Sequence, residues 1–235
     1  MGQREAEMTE PILAERWILR LGSAGAIIGS LAAGVGNLLH PVTPLVDPQG
    51  VARVIAESDL WTAIHLVIVF GIILMLGGLV ALEHSIRGGL AGALARFGLV
   101  AGVAGIAVGL ILVILDGVAA KQLAEAWATA PADEQAAALR VVLANETGNF
   151  ALASLFNFLF AGATFILFGL AVAFSDAYPR WLGWVAVAAG VASLGAGLIQ
   201  ALVGAPTPAS RFLTIVGPTV ITLWLLVIGI LLAGK

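Results

Sequence analysis

The chain has 235 residues, of which 60% are hydrophobic and 11% are charged, and its mean hydropathy is +1.06. This composition excludes a soluble globular protein and indicates an integral membrane protein that has no room for a soluble domain. A net charge of −3 without a basic patch argues against a nucleic-acid partner, and the absence of cysteine excludes disulfides, thiolate metal sites and thiol catalysis.

Six charge-poor segments are each long enough to cross a hydrocarbon core, which takes about 20 residues. They cover residues 17–40, 59–84, 92–120, 145–174, 181–204 and 211–233. Irregular backbone cannot face lipid and the alternation of a barrel strand is absent, so we expect helices. The predicted fold is an all-α bundle of six transmembrane helices that forms one domain, 1–235.

The three connections on one side of the predicted membrane differ from each other. In the first, Asp47 and Pro48 are a typical helix-capping pair and predict a short helix through Glu57. In the second, helical patterning continues on both sides of Pro131, so we expect an extension beyond the membrane at about 121–145. The third connection is short. Among the spans, only the sixth contains an interior proline, Pro218.

A repeated pattern divides the chain into three units. Each copy has an arginine, an aromatic residue and small residues six, nine and thirteen positions after the arginine. The copies are Arg16, Trp17, Gly22, Gly25 and Gly29; Arg96, Phe97, Gly102, Gly105 and Gly109; and Arg180, Trp181, Ala186, Ala189 and Ser193. The pattern predicts three tandem helical hairpins, 16–84, 96–174 and 180–233. Chance is the alternative, because the chain contains 29 glycines.

The distribution of basic residues predicts the orientation. With a cytoplasmic N-terminus, seven basic residues flank the inner side and four flank the outer side. The inner residues are Arg4, Arg16, Arg20, Arg87, Arg96, Arg180 and Lys235, and the outer residues are Arg53, Lys121, Arg140 and Arg211. This bias predicts that both termini are cytoplasmic.

Each odd-numbered span carries a ridge of small residues that ends in a polar residue near the outer surface. The three polar residues are His40, Asp116 and Gln200. The returning spans place His65, Glu146 and Asn149 at a similar level. Polar groups in lipid face the bundle interior, so these six residues predict a ligand-binding pocket in the outer half of the bundle.

Plainer interpretations exist for several of these residues. His40 precedes a proline at a helix end, where it could contact headgroups. Asp116 could lie in the interface and pair with Lys121. Asn149 could hold two helices together through hydrogen bonds, which is the commoner use of asparagine in such helices.

The polar set also suggests a metal site. His40, His65, Asp116 and Glu146 form an acceptable ligand set for zinc or another divalent metal. No local spacing such as H-x-x-x-H supports the assignment, which depends on how the helices pack. A haem held by His40 and His65 is less favoured than a metal ion.

Four segments of the chain resemble a known group of proteins. They are GNLLHP (36–41), the embedded His65, LDG (115–117) and PRWLGW (179–184). Together they resemble the small six-span bacterial inner-membrane proteins grouped as a domain of unknown function. The resemblance covers most of the chain and implies a six-helix bundle in a bacterial inner membrane, but no activity.

The sequence leaves more than one function open. The leading hypothesis is a membrane protein that binds a small or amphiphilic ligand in the outer pocket, or that serves as an accessory subunit of a membrane complex. The alternative is a metal-dependent intramembrane hydrolase that acts on lipid. A transporter ranks third, because Pro218 is the only visible interruption of a span. The expected partners are the lipid bilayer and either a ligand or other subunits.

Overall fold

A computed structural model describes residues 2–235 of the chain, with side chains from Leu13 onward. Arg4, which counts in the predicted charge bias, lies outside the described side chains. The helices are α1 (Gly2–Leu39), α2 (Pro48–Glu57), α3 (Trp61–Ser85), α4 (Gly89–Val113), α5 (Ala120–Thr129), α6 (Gln135–Phe156), α7 (Phe165–Phe174), α8 (Arg180–Val203) and α9 (Pro208–Ala233). The described residues contain no strand.

Two π-helical segments connect helices without interrupting them. Ile114–Ala119 joins α4 to α5, and Asn157–Thr164 joins α6 to α7. The two long spans on either side of the second outer connection, Gly89–Thr129 and Gln135–Phe174, therefore each contain one π-helical segment. The sequence analysis did not predict these segments, because nothing in their composition marks the change of helix type.

Six helical stretches are long and apolar enough to cross a membrane. They are Leu13–Leu39, Trp61–Ser85, Gly89–Thr129, Gln135–Phe174, Arg180–Val203 and Pro208–Ala233, which we call spans one to six. The predicted all-α bundle of six transmembrane helices is confirmed. Spans three and four contain 41 and 40 residues, about twice the length that a bilayer requires.

Small residues set the spacing of the first two hairpins. A Cβ atom on Gly25 would lie 2.7 Å from the carbonyl oxygen of Leu74 in span two. A Cβ atom on Gly105 would lie 2.7 Å from the backbone nitrogen of Phe160 in span four. The predicted ridges of spans one and three therefore pack directly against the backbone of the span that follows, as small residues allow in membrane bundles.

The ridge of span five contacts two neighbours. A Cβ atom on Gly197 would lie 2.6 Å from the carbonyl oxygen of Ser154 in span four. Ala189 and Ser193 instead contact Gly217 of span six. Trp224 also donates a hydrogen bond of 2.8 Å to the carbonyl of Leu182, which ties spans five and six together. Small residues on two sides of span five thus join the second and third hairpins.

The two ends of the bundle are built differently. At one end, aromatic rings of Phe160, Phe165 and Trp224 pack edge to face within a continuous apolar core. At the other end, α2 packs on α5 through Ile55 and Ala124. We call this second end the α2 end. Side chains fill the interior of the bundle away from the α2 end, whereas a cavity lies at the α2 end.

The predicted capping of α2 is present. The Asp47 side chain accepts a hydrogen bond of 2.9 Å from the backbone N–H of Gly50, and Pro48 occupies the first turn. This cap fixes where the preceding segment 41–46 ends. That segment runs across the mouth of the cavity.

Candidate functional site

A cavity of about 840 Å³ opens at the α2 end of the bundle. All six spans or their immediate ends contribute to its wall, through Asn37, His40, Trp61, Asp116, Glu146, Asn149, Gln200 and Thr214. Apolar residues, among them Leu112, Phe150 and Ile215, line the rest of the wall. A cavity of this size accommodates a small organic molecule or part of a lipid.

Three of the sequence-predicted site residues converge at one point. One potential ligand atom from each of His40, His65 and Asp116 lies within 4.8 Å of the others. These residues come from the end of span one, from span two and from span three. The helix packing that the sequence left open therefore brings two imidazoles and one carboxylate together.

His65 lies behind the cavity wall. Its side chain is buried, and the rings of Trp61 and His40 lie against it at centroid distances of 4.8 and 5.0 Å. The sequence analysis predicted that His65 lines the pocket in the outer half of the bundle. This prediction needs correction, because these two rings cover His65. His65 reaches the cavity only through His40 and Asp116, which line it.

Hydrogen bonds fix the orientation of the His65 ring. Its Nδ1 atom lies 2.7 Å from the carbonyl oxygen of Trp61. A carbonyl can only accept, so Nδ1 carries the hydrogen and Nε2 points the other way. Nε2 lies 3.1 Å from Oδ2 of Asp116. The ring therefore directs one defined nitrogen at the carboxylate.

His40 is oriented in the same way. Its Nδ1 atom donates a hydrogen bond of 2.9 Å to the carbonyl oxygen of Pro41, which leaves Nε2 as the atom able to bind a cation. Its ring is half-buried against Trp61 and His65 in the cavity wall. The short spacing of the two imidazoles leaves no space between them for a haem macrocycle.

The first π-helical segment positions Asp116. A π turn displaces backbone carbonyls from their usual partners along the helix, and such turns are frequent at functional sites. The carbonyl of Asp116 accepts a hydrogen bond of 2.7 Å from Trp61 Nε1, and the carbonyl of Gly117 accepts one of 2.8 Å from Thr62. Asn145 donates to the carbonyl of Leu115 at 3.3 Å. Side chains from spans two and four thus hold the segment from both sides.

Gly117 allows the close approach of spans two and three. A Cβ atom there would lie 2.5 Å from Cβ of His65. Lys121, which the sequence offered as a partner for Asp116, instead donates to the carbonyl of Ala56 at 2.7 Å and pairs with Glu125 at 3.1 Å. Asp116 is therefore free of that pairing and faces the imidazoles.

Asn149 connects two carboxylates. Its Nδ2 atom lies 3.4 Å from Oδ1 of Asp116 and 3.3 Å from Oε1 of Glu146. Its Oδ1 atom is buried and has no hydrogen-bond partner among the described residues. Glu146, the fourth predicted metal ligand, therefore stands beside the group of three rather than within it.

A second polar group lies on another wall of the cavity. Asn157 donates a hydrogen bond of 2.9 Å to Oε1 of Gln200, and both side chains lie 3.3 Å from Oγ1 of Thr214. Gln200 and Thr214 line the cavity, while Asn157 lies behind them. The sequence predicted Gln200 but missed Thr214, because a threonine in an apolar span has no pattern that marks it as a site residue.

One contact ties the mouth of the cavity to span six. Arg211 donates a hydrogen bond of 2.6 Å to the carbonyl of Thr43. Val42 and Val46, on the same segment, line the cavity and are largely exposed. The mouth therefore combines an apolar rim with one cation.

Comparisons of the chain with protein-family models, with curated proteins and with solved structures found no match.

Proposed function

We propose that this protein binds a small amphiphilic ligand in the cavity at the α2 end. The observation that carries the proposal is the cavity of about 840 Å³ that all six spans or their ends line, with both polar and apolar residues in its wall. Such a lining suits a molecule that has a polar head and an apolar body.

The polar groups offer several ways to hold a head group. Asn149 lines one wall of the cavity, and Gln200 and Thr214 present an amide and a hydroxyl on another. Leu112, Phe150 and Ile215 supply apolar contact. Burying an apolar chain against such side chains contributes about 25 cal/mol per Å².

The closed half of the bundle favours binding over conduction. Phe160, Phe165 and Trp224 fill the interior beyond the cavity. A ligand that enters at the α2 end meets this apolar core. The same cavity also suits an accessory subunit of a larger membrane complex, in which a lipid bound between subunits would occupy it.

We further propose that the protein resides in a bacterial inner membrane with both termini in the cytoplasm. The excess of basic residues at the end opposite α2 supports this orientation. The α2 end and its cavity then face the outer side, and the ligand comes from that side or from the outer leaflet.

Native mass spectrometry tests the binding proposal. The protein is extracted in a mild detergent and offered phosphatidylglycerol and phosphatidylethanolamine of defined chain length. We expect a retained lipid on the unmodified protein and loss of retention in Ala153→Phe, which fills a cavity-lining position. Val191→Phe, on an exposed position of span five, is the matched control and should retain lipid. Equal retention by both variants would contradict the proposal.

A metal-dependent hydrolase that acts on lipid is the second candidate. It is favoured by the arrangement of Asp116 and Glu146, which share the amide of Asn149 in the cavity. One carboxylate could bind a metal while the other takes a proton from water. Release of fatty acid from a fluorescent phospholipid, abolished in Glu146→Gln, would support this candidate; no release would exclude that substrate.

A further inference from the structure

The two imidazoles and the carboxylate place electron-pair donors against each other. Both Nδ1 atoms donate to backbone carbonyls, so the Nε2 lone pairs remain for other partners. Nε2 of His65 lies 3.1 Å from an oxygen of Asp116. A lone pair and a carboxylate at this distance repel each other unless a cation lies with them.

A single proton does not account for the whole group. Protonation of His65 at Nε2 would make an ion pair with Asp116, but Nε2 of His40 would still have no hydrogen-bond partner among the described residues. Two protonated imidazoles with centroids 5.0 Å apart would repel each other. One divalent cation shared by all three side chains satisfies both nitrogens and the carboxylate together.

Asn149 supplies an independent indication of a ligand. The residue is only 6% exposed, and its Oδ1 atom has no donor among the described residues. Its amide cannot be reversed, because Nδ2 faces the carboxylates of Asp116 and Glu146. A buried acceptor without a donor is costly. The described residues thus leave a buried polar atom unsatisfied in the residue that contacts Asp116.

We propose that His40, His65 and Asp116 bind one divalent transition-metal ion, with zinc as the representative. Two imidazole nitrogens and one carboxylate oxygen are a common protein ligand set for zinc when a fourth position is left to water or substrate. His40 and Asp116 line the cavity, so the fourth position faces it. The proposal concerns the same cavity as the proposed function but does not depend on an amphiphilic ligand.

The surrounding hydrogen bonds match this assignment. Histidines that bind metals usually donate their other ring nitrogen to a carbonyl or carboxylate, as His40 does to Pro41 and His65 to Trp61. The backbone of Asp116 is itself held by Trp61. The three side chains are therefore preorganised. Hard cations such as magnesium and calcium, which require oxygen ligands, do not suit two imidazoles.

Metal analysis of the whole protein tests the proposal. The protein is purified in detergent with an affinity tag free of histidine, stripped with a chelator, and titrated with zinc, magnesium or calcium chloride in a calorimeter. We expect one tightly bound zinc per chain, and no binding of magnesium or calcium at equal concentration. X-ray absorption should show imidazole nitrogens around the zinc.

Variants separate the site from adventitious binding. His65→Ala and Asp116→Asn should each abolish stoichiometric zinc binding, while His84→Ala, a histidine at the opposite end of span two, should leave it unchanged. Far-ultraviolet circular dichroism and monodisperse size exclusion report whether each variant is folded. If Asp116→Asn does not fold, His40→Ala serves as the second test.

The proposal fails if the folded protein binds no zinc or if His65→Ala binds it unchanged. In the first case His65 and Asp116 form a simple ion pair. Lipid retention is measured on the chelator-treated protein in the same preparations. If the titration shows no bound zinc while the lipid is retained, the metal site is overturned and the proposed function stands, whereas one bound zinc without retained lipid does the reverse.

Discussion

Nε2 of His65 lies 3.1 Å from Oδ2 of Asp116, although 51 residues separate them in the chain. The contact requires that spans two and three approach closely at the α2 end. Gly117 permits this approach, and hydrogen bonds from Trp61 and Thr62 to the π-helical segment maintain it. The polar site thus depends on a glycine and on the backbone of the helix as much as on its ionisable groups.

Replacing Gly117 by alanine should weaken zinc binding. The added methyl would lie 2.5 Å from Cβ of His65, so that the ring or the helix must shift. Metal sites tolerate displacements of only about 0.2 Å in ligand distance. We expect the zinc affinity, measured by calorimetry, to fall about 10-fold or more. Gly148→Ala, where a Cβ atom would contact nothing, is the control; an equal loss there would contradict the explanation.

Trp61→Phe removes one hydrogen bond from the π-helical segment. The backbone carbonyl of Trp61 still orients His65, but the carbonyl of Asp116 loses its donor. Loss of such a supporting contact typically costs about 10- to 100-fold in metal affinity. The lower end of this range is expected in a zinc titration. Trp184→Phe, at an exposed position, should leave the affinity unchanged.

The amount that could be predicted differs between the fold and the site. Helical spans follow from length and hydropathy, and the ridge residues Gly25 and Gly105 follow from their spacing, because both signals are local. The π-helical turn that carries Asp116 depends instead on residues that are distant in the sequence. Its displaced carbonyls are satisfied by Trp61 and Asn145 from other spans, and sequence periodicity does not report such partners.

The separate positions of His65 and Glu146 show a second limit. Helical spacing gives the face of a helix but not the side chains that cover it, so the burial of His65 behind His40 and Trp61 could not be foreseen. Likewise, Glu146 occupies the predicted level of the bundle, yet the Asn149 amide lies between its carboxylate and that of Asp116.

Gly105→Leu should destabilise the second hairpin. Gly105 lies against the backbone of Phe160, so a larger side chain would force spans three and four apart. Overfilling a close contact costs about 1–3 kcal/mol. The free energy of unfolding in mixed micelles should fall by this amount, and Gly77→Leu, where a Cβ atom has open space, should change it less. Equal effects would contradict the proposed role of the ridge.

The orientation of the chain can be tested without background labelling, because the protein has no cysteine. Ala132, in the connection between α5 and α6, and Gly88, between α3 and α4, are both exposed. In intact cells we expect an impermeant maleimide to label Ala132→Cys but to label Gly88→Cys only after lysis. Labelling of Gly88→Cys alone in intact cells would invert the topology.

Gln200→Leu tests whether the two polar regions of the cavity act independently of each other. The substitution removes the acceptor for Asn157, whose amide then keeps only Thr214 as a partner. A buried donor that loses its acceptor costs about 1–3 kcal/mol, so thermal stability should decrease. Lipid retention in native mass spectrometry should also fall, because Gln200 lines the cavity. Zinc stoichiometry should not change, because Gln200 makes no hydrogen bond to His40, His65 or Asp116, the proposed ligands. Gln122→Leu, at an exposed position of α5, is the control. Loss of zinc binding in Gln200→Leu would show that the two polar regions form a single site.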